Sequence, residues 1–185
     1  MLSKSAGSTN HRALFLRHQA QTSSNPLMLE ITGSEGVYLY TADGKQYIDL
    51  ISGISVSAGG HRHPAVVQAI RNQLDQYLHV MVYGEFIQGP QVLLAEKLCS
   101  MLPPQLQSVY FVNSGAEATE GAMKLAKRAS GRTKIVAFEH AYHGSTQGAL
   151  SLIGDEYFRR SYRPLLPEIY HIRYNHFEDL QRIDT

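Results

Sequence analysis

The apolar positions of this chain fall in short blocks whose spacing changes between period two and period 3.6. Val109-Tyr110-Phe111-Val112 fits a buried strand, and Ser114-x-x-Glu117 directly after it has capping-box spacing, so a helix is predicted from Ser114. Along that helix Ala118, Ala122, Leu125, Ala126 and Ala129 recur as one stripe of small residues, suited to close packing on a sheet. Lys134–Phe138 reads as a second strand, parallel to the first through a right-handed crossover. Its carboxyl end then brings Tyr142 to the same rim as Ser114.

The flanking segments follow the same logic. Val37–Tyr40 and Gln46–Ile51 enclose Ala42-Asp43-Gly44-Lys45, and Asp-Gly between β-rich runs predicts an antiparallel hairpin at 36–51. Gly53, Gly59 and Gly60 mark a loop able to pass close to a ligand or another backbone. Pro64 opens a helix over 64–78 with Val67, Ile70, Leu74, Tyr77 and Leu78 on one face. Pro90 opens another, carrying Leu94, Leu98, Met101 and Leu102, that ends at Pro103-Pro104. A short helix is expected at 11–21 and another at 145–152, a third parallel strand at 168–172, and a mobile polar terminus at 1–10. Strands alternating with helices predict an α/β class with a parallel sheet.

Composition narrows the function without naming it. The chain has 185 residues, 43% hydrophobic and 18% charged, values of an ordinary globular protein. A formal net charge of +1 without a Lys/Arg block offers no footprint for nucleic acid or an anionic membrane. No apolar run approaches the roughly 20 residues of a membrane span, and Met1-Leu2-Ser3-Lys4-Ser5 has no signal-peptide core, so a cytoplasmic location is expected. The lone Cys99 lies in a helical pattern and reads as a small buried hydrophobe rather than a nucleophile. His61 and His63 have a His-x-His spacing but no accompanying carboxylate or cysteine cluster, so loop packing is expected and no metal site is assigned.

The candidate chemistry lies at the start of the Ser114 helix. Gly115 has no Cβ, so an anion can approach the N–H groups of Gly115 and Ala116 where the helix dipole is positive. A phosphate suits that place, although Ser-Gly-Ala-Glu by itself also suits a well-capped helix and nothing more. Tyr142 by itself equally suits a core aromatic.

Ser114-Gly115-Ala116-Glu117-Ala118-Thr119-Glu120 followed by Ala141-Tyr142-His143-Gly144 resembles the class III pyridoxal-phosphate aminotransferases, the acetylornithine, ornithine and ω-amino-acid aminotransferases among them. Gly53-Ile54-Ser55-Val56 and Gly60-His61-Arg62-His63-Pro64 match the same family in the same order, and the resemblance covers about Gly36 to Leu152. It implies a fold of the type I pyridoxal-phosphate transferases, with a three-layer α/β/α large domain. Residues 1–60 would be the hairpin-bearing contribution to the small domain and 61–185 the first part of the large domain, the chain being a truncated portion of the whole. The implied cofactor is pyridoxal 5'-phosphate, with Ser114, Gly115 and Ala116 at its phosphate and Tyr142 as the platform for its ring. His143 would stack or hydrogen-bond beside the ring, or else shape the turn.

The resemblance implies transfer of an amino group between a small-molecule amino donor and a keto acid, in a homodimer whose sites are built between subunits. The glycine loop at 53–60 and the aromatic loop at 79–89 would then lie at the two-fold interface. Tyr83 and Phe86 would reach the partner's substrate pocket or simply pack in that interface. Such chemistry needs a lysine to hold the cofactor aldehyde and a carboxylate at the ring nitrogen. The family places both beyond residue 185, and none of the lysines at 4, 45, 97, 124, 127 and 134 matches the family position, so no catalytic residue is assigned in this chain and its isolated inactivity is expected. Ser145 stands where acetylornithine and ornithine aminotransferases typically have a carboxylate-clamping arginine, which leaves ω-amino acids, amines or an aminomutase-type substrate open. An aminomutase or decarboxylase on the same scaffold, and a catalytically silent phosphate-binding or dimerisation module, are the alternatives.

Overall fold

The structure, a computed structural model, describes residues 10–81 and 83–183, and the side chains of these except Tyr83 and Arg182. The expected mobile segment at 1–10 lies almost wholly outside them. The chain divides into two compact units, Met1–Phe86 and Ile87–Thr185.

The first unit begins with helix α1 (His11–His18), capped where the Asn10 side chain accepts from the Ala13 N–H at 3.0 Å. Strands β1 (Ile31–Glu35), β2 (Tyr38–Thr41) and β3 (Gln46–Ile48) form an antiparallel sheet in that order. The expected hairpin is its β2–β3 half, with Tyr38 opposite Ile48 and Tyr40 opposite Gln46. Its turn is tied by the Thr41 hydroxyl, which donates to Asp43 at 2.6 Å and lies 3.1 Å from the Lys45 carbonyl. Strand β1 was not legible, because Ile31-Thr32-Gly33-Ser34-Glu35 alternates poorly and holds its place only through pairing with β2.

Beyond β3 the chain makes a four-residue turn, α2 (Ser52–Ser55), in which every residue has φ between 51° and 63°. Left-handed backbone costs a non-glycine residue about 1–2 kcal/mol, and Asp49 offsets part of that cost. Its Oδ1 accepts from the N–H groups of Ser52 at 2.8 Å and Ile51 at 3.2 Å, while Oδ2 meets His61 Nε2 at 2.7 Å. A Cβ on Gly60 would come within 2.9 Å of the Gly36 carbonyl oxygen, so the expected close backbone approach is real. Helix α3 (Pro64–Leu74) starts at its proline and stops four residues short of the expected end, its Asp75 cap N–H bonding back to Arg71.

The second unit contains α4 (Gly89–Met101), α5 (Gly115–Ser130), β4 (Ile135–Phe138), α6 (Gln147–Leu152), α7 (Glu156–Arg159) and β5 (Ile169–Ile172). Strands β4 and β5 pair in parallel, Ile135 opposite Ile169 and Phe138 opposite Ile172. Met123 of α5, Ala137 of β4 and Leu152 of α6 form the core, with Ile135 and Ile169 against it. Residues 148–152 of α6 are buried throughout. Each large apolar side chain so buried contributes about 1.5–3 kcal/mol. Buried Asp179 locks the exit of β5, accepting from Arg173 N, Nε and Nη2 at 3.0, 2.9 and 2.8 Å.

Three expectations need correcting. Val109–Val112 forms no strand: among the described residues it pairs with none, Tyr110 and Phe111 are exposed, and β4 pairs with β5 instead. An apolar run becomes a strand only when a neighbour takes its backbone groups. Second, the small-residue stripe of α5 does not face the core, since Ala118, Ala122, Leu125, Ala126 and Ala129 are all exposed. The packed face carries Ala116, Thr119, Glu120, Met123 and the half-buried Lys127. Third, the apolar faces of α3 and α4 contain no buried residue, and Cys99 is half-buried.

Candidate functional site

The site expected from the sequence is built inside the second unit, where the start of α5 meets the loop between β4 and α6. The capping box forms, with one displacement. Ser114 Oγ accepts from the Glu117 N–H at 3.1 Å, and Glu117 Oε2 reaches past the cap residue to accept from the Asn113 N–H at 2.6 Å. Among the described residues no acceptor is bonded to the N–H groups of Gly115 or Ala116. An added Cβ on Gly115 would meet nothing within 4 Å. These two donors, at the positive end of a 16-residue helix with open space before them, suit a phosphate.

The second half of the site is the loop following β4. Gly144 is buried with φ 115°, and a Cβ there would stand 2.9 Å from Ala116 Cα and 3.3 Å from Ala149 Cβ, so the loop backbone lies directly on the first turn of α5. Tyr142, two residues earlier, is 71% exposed. Its hydroxyl shares a 3.1 Å hydrogen bond with Ser145 Oγ. The structure thus places Ser114, Gly115 and Ala116 beside the loop that carries Tyr142, and leaves the ring face open. His143 is half-buried, and its Nε2 is buried with no hydrogen-bond partner among the described residues.

Two residues at the junction were not singled out from the sequence. Glu120 Oε1 accepts from the Thr146 hydroxyl at 2.7 Å and from the N–H groups of Gly148 at 2.9 Å and Ala149 at 3.2 Å. The Thr146 hydroxyl, with help from the two N–H groups, holds the Glu120 carboxyl below the ordinary glutamate range against the opposing effect of burial. The available signal was the spacing of Glu120 four residues after Ala116, which puts both on one face of a helix.

The resemblance motifs of the first unit find structural duties. His61 is the partner of Asp49, and among the described residues no three His, Cys, Asp or Glu side chains are grouped to hold a metal ion. No described helix is long and apolar enough to cross a membrane. Around the α2 turn Leu50 is 90% and Ile54 84% exposed; in the second unit Ile87 is 94% exposed and Phe86, at the end of the first, is exposed as well.

Known proteins resemble this chain over most of its length. The family profile described as aminotransferase class-III matches residues 19–184. The acetylornithine aminotransferase of Methanopyrus kandleri is 42% identical over 142 residues, which are 76% of this chain and 36% of that protein. That of Archaeoglobus fulgidus is 37% identical over 167 residues, 90% of this chain and 43% of the relative. Among solved structures, a taurine:2-oxoglutarate aminotransferase from Bifidobacterium kashiwanohense, in complex with PLP and glutamate, superposes with a TM-score of 0.82 at 30% identity, covering 91% of this chain and 39% of that one. The adenosylmethionine-8-amino-7-oxononanoate aminotransferase of Methanocaldococcus jannaschii gives 0.79 at 31%, covering 89% and 40%. The chain therefore spans well under half the length of these relatives.

Proposed function

The chain belongs to the class-III aminotransferase family, and from that premise we propose that the protein moves an amino group from an amino acid or amine to a keto acid with pyridoxal 5'-phosphate as cofactor. Its fold is the corresponding portion of the type I fold of pyridoxal-phosphate transferases. Residues 1–60 are assigned to the small domain and 61–185 to the first part of the large domain.

The observation that carries this reading is the contact of Gly144 with Ala116. It holds the loop that carries the exposed Tyr142 against the helix start, where the N–H groups of Gly115 and Ala116 are unengaged among the described residues. Ser114, Gly115 and Ala116 would hold the cofactor phosphate, and Tyr142 would support the flat face of its ring. When bound, the cofactor supplies an electron sink for the charge left as a bond at the substrate carbon breaks. The chain's own part is orientation: the Tyr142 hydroxyl, tied to Ser145, fixes the tilt of the ring platform. His143, whose Nε2 is buried, would shape that loop beside the ring. Ser145 brings no positive charge, so a substrate α-carboxylate is not clamped from this position, which leaves room for amines and ω-amino acids.

The protein is further assigned as a homodimer. The apolar side chains of Ile54, in the strained turn, of Leu50 just before it, and separately of Ile87, suit burial against a second copy. The decisive experiment is an amino-transfer assay on the natural-length protein with and without added pyridoxal phosphate, scanning amines, ω-amino acids and α-amino acids against one keto acid. Cofactor-dependent turnover is expected; absence of cofactor uptake overturns the assignment.

A further inference from the structure

We propose that Glu120 is a positioning residue that sets the distance and angle between the phosphate seat on α5 and the ring platform at Tyr142. The inference rests on the cofactor reading above but concerns a residue which that reading does not use. Helix α6 follows its cap residue Thr146, whose side chain makes no cap bond to it. The Thr146 hydroxyl turns instead to Glu120, and the same carboxylate oxygen takes the N–H groups of Gly148 and Ala149, at the second and third helical positions. A carboxylate from one helix is thus the N-cap of another, a place where negative charge is favoured by the helix dipole.

The position of this clamp gives it a consequence beyond α6. Ala116 and Glu120 are one turn apart on the same face of α5, and Gly144 and Thr146 are two residues apart in the loop. The loop that bears Tyr142 is therefore held to α5 at two successive levels, by steric fit at Gly144 and Ala116 and by hydrogen bonds at Thr146 and Glu120. The steric contact permits the loop to slide or lift, since it sets only a closest approach. Three hydrogen bonds to one oxygen fix the direction. Gly148 completes the fit, because a side chain at that position would collide with Glu120 Oε2.

A group that must touch both the Gly115 and Ala116 N–H groups and the Tyr142 ring will sense the clamp, whereas a group that touches the N–H pair alone will not. The test therefore compares two ligands on the natural-length protein and its Glu120→Ala, Glu120→Gln and Thr146→Val variants. The dissociation constant of pyridoxal phosphate is measured by absorbance titration, and that of inorganic phosphate by competition with it. Loss of the three bonds in Glu120→Ala should weaken pyridoxal phosphate about tenfold or more and leave inorganic phosphate within about twofold. Glu120→Gln, whose amide oxygen can accept the same donors, should recover most of the loss, and Thr146→Val should fall between. If Glu120→Ala does not fold, the graded response of the other two variants carries the test. Equal weakening of both ligands would make Glu120 a general support of α5 and overturn the inference, as would unchanged affinity for pyridoxal phosphate. Wild-type protein that takes up no pyridoxal phosphate overturns the cofactor reading and this inference together; normal wild-type uptake with indifferent variants overturns this inference alone.

Discussion

A Cβ on residue 144 would sit 2.6 Å from the Cβ of Ala116, closer than real carbon contacts allow, and Gly144 has a φ of 115° that side chains avoid. Replacing Gly144 by Ala must therefore lift the Tyr142 loop from α5 or distort the start of the helix. A loss of about 1–3 kcal/mol in stability is expected for Gly144→Ala from the backbone strain alone. Thermal unfolding and cofactor titration check it together, and a variant that keeps both wild-type stability and wild-type affinity would contradict the contact.

Tyr142→Ala should weaken pyridoxal phosphate by about 0.5–1.5 kcal/mol beyond the burial lost with the ring. Tyr142→Phe keeps the ring and removes only the exposed hydroxyl bond to Ser145 at 3.1 Å, so it should cost about 1 kcal/mol or less. Equilibrium titration of both variants separates platform from anchor. If the Phe change costs as much as the Ala change, the hydroxyl rather than the ring is what matters.

Ser114→Ala removes the acceptor for the Glu117 N–H and should destabilise the second unit by about 0.5–2 kcal/mol, with Ser114→Gly costing only a few tenths. Denaturant unfolding of the three proteins gives the comparison. Equal losses for Ala and Gly would show that the hydroxyl caps nothing of consequence.

Asp49 gives the first unit a pH dependence of known sign. The Ser52 N–H, followed by His61, holds its carboxyl below the ordinary aspartate value of 3.8. A carboxylate with a lowered folded pKa stabilises fully above its unfolded value, and that contribution is lost as pH falls through the folded value. The stability difference between wild type and Asp49→Asn should therefore shrink as pH falls below about 4. Chemical denaturation across that range is the check, and a difference that grows on acidification would reverse the assignment.

Borohydride reduction of the natural-length protein loaded with pyridoxal phosphate should mark no unique lysine among residues 1–185. Lys45 is paired with Asp43 at 2.8 Å, which raises its pKa, the opposite of what an amine nucleophile requires. Lys124 and Lys97 are exposed on their helices, and Lys134 lies 6.0 Å from the centre of the Tyr170 ring. Peptide mass spectrometry locates the adduct. One stoichiometric adduct on any of these residues would hand that lysine the catalytic role.

The features legible in the sequence were those whose cause is local. Asp43-Gly44 set the β2–β3 turn, Pro64 and the Gly89-Pro90 step opened two helices, and Ser114 with Glu117 capped a third, because each depends on backbone groups only a few residues away. The motif that carried the family resemblance was legible for the same reason, since the cap bond of Ser114 to the Glu117 N–H lies within its own turn. Tertiary structure decided what depends on a neighbour. It denied Val109–Val112 a strand, since no described partner takes up its backbone groups, and gave β1 one, since β2 lies alongside. It turned α5 so that Met123 rather than the alanine stripe faces the core, because the larger apolar side chain fills the space between β4 and α6. It also joined Glu120 to Thr146, 26 positions apart, and Asp49 to His61, 12 apart. No local pattern encodes such pairs: a carboxylate finds its donors only after the helices and loops that carry them have packed.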